Sequence, residues 1–154
     1  NSKSPPGLEK RLRPLATPAL TAYWLLIFVA THVPNPEDLP APDVSDKLLH
    51  FSAYFVLYAL LSVRHRLLAG GWPGGNCQVK FLLLTTSYAA LDELLQMLPG
   101  INRNADWLDG FADCGGLLTA AAIVWLIRFQ VERSQRNGNS ESTEAPNRQK
   151  SKPE

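Results

Sequence analysis

Seven polar side chains interrupt the apolar stretches of this sequence or lie beside them. Their chemical types are those that recognise a ligand or handle protons. An imidazole with carboxylates can exchange protons or hold a divalent ion, and an arginine suits an anionic phosphate or carboxylate. The seven residues are His50, Tyr54, Glu93, Gln96, Arg103, Asp109 and Asp113.

The spacing of these residues indicates a shared interior. Residues three or four positions apart lie on one helix face, and three pairs are spaced in this way: His50 with Tyr54, Asp109 with Asp113, and Glu93 with Gln96. Asp92 points about 100° away from Glu93 on a helix, so we expect Glu93, rather than Asp92, to face the interior. Small residues at Ala112, Gly116 and Ala120 favour a close helix approach.

The elements that must position these residues are apolar runs. Residues 14–36 carry no Asp, Glu, Lys or Arg, and 14 of the 19 residues from Leu15 to Val33 are apolar. Such a run is typical of a membrane-spanning helix. The stretches Tyr23–Ala30 and Phe55–Leu61 are apolar on all sides, whereas the helices of a soluble bundle show a polar face.

The sequence therefore predicts an all-α polytopic membrane protein, a compact bundle of four transmembrane helices. The predicted spans are about residues 15–33, 48–66, 81–98 and 107–127. A basic segment, residues 1–14, precedes this membrane domain of residues 15–128. Residues 129–154 contain only three apolar residues and predict a disordered tail. A secretory signal is disfavoured, because the first run is long and no small-residue cleavage site follows it.

The positions of lysine and arginine predict the orientation. Thirteen of the 15 basic residues lie in the two terminal segments or in the connection between the second and third runs. The positive-inside rule then places both termini in the cytoplasm. In this orientation the polar residues converge on the outer half of the bundle, with Asp46, Lys47 and Asp106 at its outer edge.

Three short motifs lie within residues 46–120. They are Asp46-Lys47-x-x-His50-Phe51-x-x-Tyr54, then Glu93-x-x-Gln96, then Arg103 with Asp109 six residues on and Gly116 seven beyond that. This set resembles the VanZ-like family of small bacterial membrane proteins. The resemblance implies a helical bundle in the bacterial cytoplasmic membrane and an association with resistance to a glycopeptide antibiotic of the teicoplanin type. The family's biochemical activity is undefined, and it usually has asparagine at the position of Asp113.

Several interpretations of the polar residues stay open. They could bind the head group of a cell-envelope precursor or of a lipopeptide drug, with Arg103 facing an anion. They could instead be a structural scaffold that only links the helices. A membrane-embedded enzyme is a weaker interpretation, because no catalytic motif is present and one histidine is a poor metal signature. Proton or ion transport is disfavoured, because the cytoplasmic half of the predicted bundle has almost no polar side chains that could relay a proton.

The composition argues against several other classes. A net charge of +1 gives no reason to expect nucleic acid. The two cysteines form no CxxC motif, which argues against a disulfide framework and a zinc motif. The sequence assigns no catalytic residue, no metal site and no cofactor, and it leaves open whether the polar residues catalyse a reaction or bind a metal. Membrane lipids are the expected partners, and the oligomeric state stays open.

Overall fold

The computed structural model describes residues 7–33, 45–97 and 106–149, with side chains in the last range up to residue 138. These residues form four helices and no strand. The helices are α1 (Leu8–Thr31), α2 (Asp46–Ala69), α3 (Gly75–Gln96) and α4 (Trp107–Gln149). The predicted all-α fold is confirmed for the described residues.

The helices run up and down, so that chain neighbours are antiparallel. Near one end of the bundle, Arg66 in the last turn of α2 donates a hydrogen bond to Glu9 in the first turn of α1 (2.6 Å). The C-cap residue that follows α2 is Gly70, whose φ of 79° suits a residue without a Cβ. At the opposite end, His50 of α2 meets Asp113 of α4. The beginnings of α2 and α4 therefore lie together.

α2 is the central helix and packs against each of the other three. α4 approaches it closely at Gly116, where a Cβ would overlap the carbonyl oxygen of Phe51 and lie 3.0 Å from the backbone nitrogen of Phe55. Gly116 and Ala120 of the predicted small-residue stripe are buried. The core between the two helices contains Tyr54, Leu57, Tyr58, Leu61, Leu117, Ala120 and Val124.

Three of the helices are long and apolar enough to cross a membrane. They are Leu8–Thr31, Asp46–Ala69 and the Trp107–Gly138 part of α4. Large apolar side chains such as Leu25 and Leu118, each 60% exposed, suit a lipid environment better than water. α3 carries polar side chains along its length, including Lys80, Asp92 and Glu93. The prediction of four spans is therefore supported for three helices.

Three of the four helices begin earlier than the apolar runs indicate, whereas α4 begins at Trp107, where its run begins. α1 begins at Leu8 rather than at residue 15, so that it includes part of the basic segment. Its first turns are tied to the end of α2, because Arg66 bonds Glu9 and Arg13 donates to the carbonyl oxygen of Leu68 (3.2 Å). An apolar run marks only the part of a helix that suits lipid, and the helix continues into the flanking polar residues.

α4 extends beyond the predicted membrane domain. The sequence predicts disorder from residue 129, whereas α4 continues as a helix to Gln149. Arg128 donates to Glu132 one turn later (2.7 Å), and such pairs stabilise an exposed helix even where no apolar face is buried.

Candidate functional site

The predicted polar residues gather at one end of the bundle, where α1 and α3 end and α2 and α4 begin. Six of the seven predicted residues lie there, and Arg103 lies outside the described residues. Asp92 joins them. We call this set the polar cluster: His50, Tyr54, Asp92, Glu93, Gln96, Asp109 and Asp113.

The contact between His50 and Asp113 lies at the centre of the polar cluster. His50 Nδ1 is 3.0 Å from Asp113 Oδ1, and the two side chains are only 5% and 1% exposed. The close approach of α4 at Gly116, one turn after Asp113, brings the carboxylate against the imidazole. A buried imidazole and carboxylate form a hydrogen bond or an ion pair, according to where the proton lies. This contact links α2 to α4.

Glu93 of α3 forms a group with this pair. One ligand atom each from His50, Glu93 and Asp113 lie within 4.8 Å of one another. Glu93 Oε1 is buried and has no hydrogen-bond partner within the described part of the chain. The structure thus places Glu93 toward the shared interior, as the sequence predicts, and three helices contribute to one small polar volume.

The sequence favours Glu93 over Asp92 for the shared cavity, but Asp92 is buried too, on a face of α3 that meets α1. Asp92 is 1% exposed, and its Oδ1 lies 3.1 Å from Thr31 Oγ1 at the end of α1. Gln96 Nε2 donates to Asp92 Oδ2 (3.3 Å), so Gln96 is paired with Asp92 rather than with Glu93. The end of α3 is covered on two faces, by α1 on one and by α2 and α4 on the other. The four-residue spacing of Asp92 and Gln96 could have indicated this pair.

The side chain of Tyr54 is fully enclosed. It is 0% exposed, and its hydroxyl has no hydrogen-bond partner among the residues that the structure describes. Its ring centroid lies 6.0 Å from that of Tyr88 on α3. A buried phenol hydroxyl without a partner is suited to donate a hydrogen bond to an acceptor in the polar cluster.

A salt-bridged rim borders the polar cluster. Lys47 Nζ lies 2.8 Å from Asp106 Oδ2 and 3.0 Å from Asp109 Oδ1. The hydrogen bond from Lys47 lowers the pKa of Asp106 below its usual range, and the hydrogen bond from the Leu108 amide acts in the same direction. Asp109 therefore has a lysine partner at the rim, whereas the more enclosed Asp113 is paired with the imidazole of His50.

A groove between α1 and α2 leads to the polar cluster. Its volume is about 310 Å³, and its walls include Leu26, Ile27, Ala30, Leu49 and Ala53. Asp46 and His50 lie at its polar end, next to Thr31. The Tyr23 hydroxyl donates to the carbonyl oxygen of Ala53 (3.1 Å) and bridges the two helices farther along the groove. No feature of the sequence predicted this groove.

Two overlapping sets of residues have the chemistry of metal ligands. One is His50 with Glu93 and Asp113, and the other is His50 with Asp46 and Asp109. In each set the ligand atoms lie within 4.8 Å of one another. The sequence predicts no metal site because it contains no recognisable ligand spacing, whereas the fold brings the ligand types together from separate helices.

Comparisons with family models, with curated proteins and with solved structures found no match to this chain. The case for a function therefore depends on the geometry of the groove and the polar cluster.

Proposed function

We propose that this protein is a multi-pass membrane protein that binds a membrane lipid, with the acyl chain in the α1–α2 groove and the head group at the polar cluster. The groove is the observation that carries this proposal. It has apolar walls and a polar end at Asp46 and His50. An amphiphile has the same division along its length, and the apolar exterior of α1 and α2 supports a groove that opens toward lipid.

The size of the groove supports a bound molecule. A volume of about 310 Å³ falls at the lower end of the range for small-molecule pockets, which is roughly 300–1,000 Å³. A lipid that enters sideways from the bilayer needs no aqueous path. Its head group would then meet Asp46 and His50 at the level of the bilayer where α1 ends and α2 begins.

The charges favour a head group rich in hydrogen-bond donors. Within the described residues, carboxylates outnumber the cationic Lys47 at this end of the bundle. Carboxylates accept hydrogen bonds from hydroxyl and amino groups. A phosphate on the same head group needs a cation. Arg103, in the connection between α3 and α4, is a candidate for that role.

The resemblance to the VanZ-like family supports a narrower ligand class. It covers residues 46–120, which contain the whole polar cluster and one wall of the groove. We therefore propose a lipid-linked cell-envelope precursor as the ligand, in the cytoplasmic membrane of a bacterium. A glycopeptide-type drug with a lipid tail has a similar division into apolar and polar parts.

Filling the groove tests lipid binding directly. Ala30→Phe places an aromatic ring in the groove, so we expect several-fold weaker crosslinking to a photoactivatable lipid in nanodiscs. Ala22→Phe is the matched control, because Ala22 lies on the same helix and is exposed outside the groove walls. Equal labelling of wild type and both variants would favour the alternative, in which the polar cluster only fixes the bundle.

The proposed orientation places both termini in the cytoplasm and the polar cluster at the outer side. It is supported by Arg66 and Arg128, which lie at the end of the bundle opposite the polar cluster. In a background without native cysteines, Ser45→Cys at the start of α2 should react with an impermeant maleimide added to intact cells. Gly71→Cys in the α2–α3 connection should react only after lysis. The reverse pattern would invert the orientation.

A further inference from the structure

We propose that His50, Glu93 and Asp113 bind one divalent transition-metal ion, such as Zn²⁺ or Mn²⁺. The three ligands come from α2, α3 and α4, so the ion would join three helices at the centre of the polar cluster. The site does not depend on what occupies the groove.

The distances suit a shared ion. Two ligands that each lie about 2.1 Å from a metal are separated by roughly 3.0 Å in octahedral and 3.4 Å in tetrahedral geometry. His50 Nδ1 and Asp113 Oδ1 are 3.0 Å apart. The three ligand atoms lie within 4.8 Å of one another, so the Glu93 carboxylate lies close to the same centre.

Two buried polar atoms at this point have no hydrogen-bond partner in the described part of the chain. They are Glu93 Oε1 and the hydroxyl of the fully buried Tyr54. Buried polar atoms are otherwise almost always hydrogen-bonded. A metal ion satisfies the Glu93 oxygen directly, and a ligand carboxylate held by the ion would accept the hydrogen bond from Tyr54.

The balance of charges also favours His50, Glu93 and Asp113 as the ligands. Two carboxylates so close in a low-dielectric interior repel each other, and His50 is the one cationic partner that the described residues offer them. Asp109 of the overlapping set is already bonded to Lys47 (3.0 Å). A bound cation would therefore relieve more charge repulsion between Glu93 and Asp113 than at the rim, where Lys47 already pairs with Asp109.

The ligand types select the class of ion. Carboxylate oxygens alone would suit Ca²⁺ or Mg²⁺, whereas an imidazole nitrogen favours zinc, manganese and their neighbours in the transition series. We therefore expect Zn²⁺ and Mn²⁺ to bind more tightly than Ca²⁺ or Mg²⁺.

Metal content tests this assignment. The full chain, purified in detergent without a polyhistidine tag and stripped with a chelator, should take up one equivalent of Zn²⁺ or Mn²⁺ in equilibrium dialysis. Glu93→Gln and His50→Gln should weaken binding by at least about tenfold. Zn²⁺ should also raise the melting temperature of the wild type, since it binds the folded state, but not that of Glu93→Gln.

The control is Asp106→Asn, which removes a nearby exposed carboxylate outside the proposed ligand set and should bind metal like the wild type. If a variant fails to fold, the stoichiometry and melting shift of the wild type still decide the question. No metal uptake by the wild type would overturn the proposal, as would equal losses in Asp106→Asn and Glu93→Gln. Loss in Asp109→Asn with full binding in Glu93→Gln would move the ion to the rim and overturn the assignment.

Discussion

Gly116→Ala is expected to lower the free energy of unfolding by about 3 kcal/mol. The new Cβ would overlap the carbonyl oxygen of Phe51 and lie 3.0 Å from the backbone nitrogen of Phe55. Backbone atoms cannot rotate away as a side chain does, so α4 must move off α2 along their main contact. The better helix propensity of alanine, worth at most about 1 kcal/mol, does not offset this loss. Reversible unfolding with SDS in mixed micelles measures the difference.

Gly110→Ala is the matched control for this prediction. It makes the same chemical change on the same helix, where a Cβ meets no described heavy atom within 4 Å. Its stability should be unchanged or higher by up to about 1 kcal/mol. A Gly116→Ala variant as stable as Gly110→Ala would contradict the close crossing of α2 and α4.

His50→Ala is expected to lower the free energy of unfolding by about 3–4 kcal/mol at pH 7 in metal-free buffer. The substitution leaves the buried carboxylate of Asp113 near Glu93 without its imidazole partner. Asp113 must then stay charged or take up a proton. Protonating a carboxyl with an ordinary pKa near 3.9 costs about 4 kcal/mol at pH 7, which sets the upper limit of this electrostatic contribution. The same micellar unfolding assay applies.

Asp113→Ala should cost less, about 1–3 kcal/mol, because it leaves only an unpaired N–H. An imidazole with an ordinary pKa near 6.5 becomes neutral at pH 7 almost without cost. The two variants should also respond to pH in opposite directions. The deficit of His50→Ala shrinks by about 1.4 kcal/mol for each pH unit below 7, as protonation of Asp113 becomes cheaper. The deficit of Asp113→Ala grows below about pH 6.5, where the buried imidazole resists protonation. Equal deficits with the same pH dependence would show that the pair carries no charge.

Much of the polar cluster could be predicted from helix periodicity. The spacing of His50 with Tyr54, and of Asp109 with Asp113, places each pair on one face. Gly116 indicated a close helix approach, and α4 does approach α2 there. These inferences depend only on residues within one helix and on alternating helix directions.

Other features depend on how separate helices cross, which periodicity does not encode. Asp92 is buried because Thr31 of α1 reaches it, and the sequence does not show that α1 ends beside α3. The groove likewise depends on the separation of α1 and α2 beyond Tyr23. The sequence offers His50, Glu93 and Asp113 only as a weak metal signature, because they are 43 and 20 residues apart along the chain, from His50 to Glu93 and from Glu93 to Asp113, and match no metal motif.

The contact between His50 and Asp113 also bears on the order of assembly. The two residues are 63 positions apart, and a chain made from its N-terminus completes α2 well before α4. His50 is therefore synthesised well before its carboxylate partner, and an unpaired imidazole is less costly in an apolar environment when it is neutral than when it is charged. The pair of His50 and Asp113 forms only when α4 packs against α2, where Gly116 lies against the backbone of Phe51. α4 follows the other three described helices along the chain, so a nascent chain cut before residue 107 contains the groove residues of α1 and α2 but lacks Asp109 and Asp113 of the polar cluster.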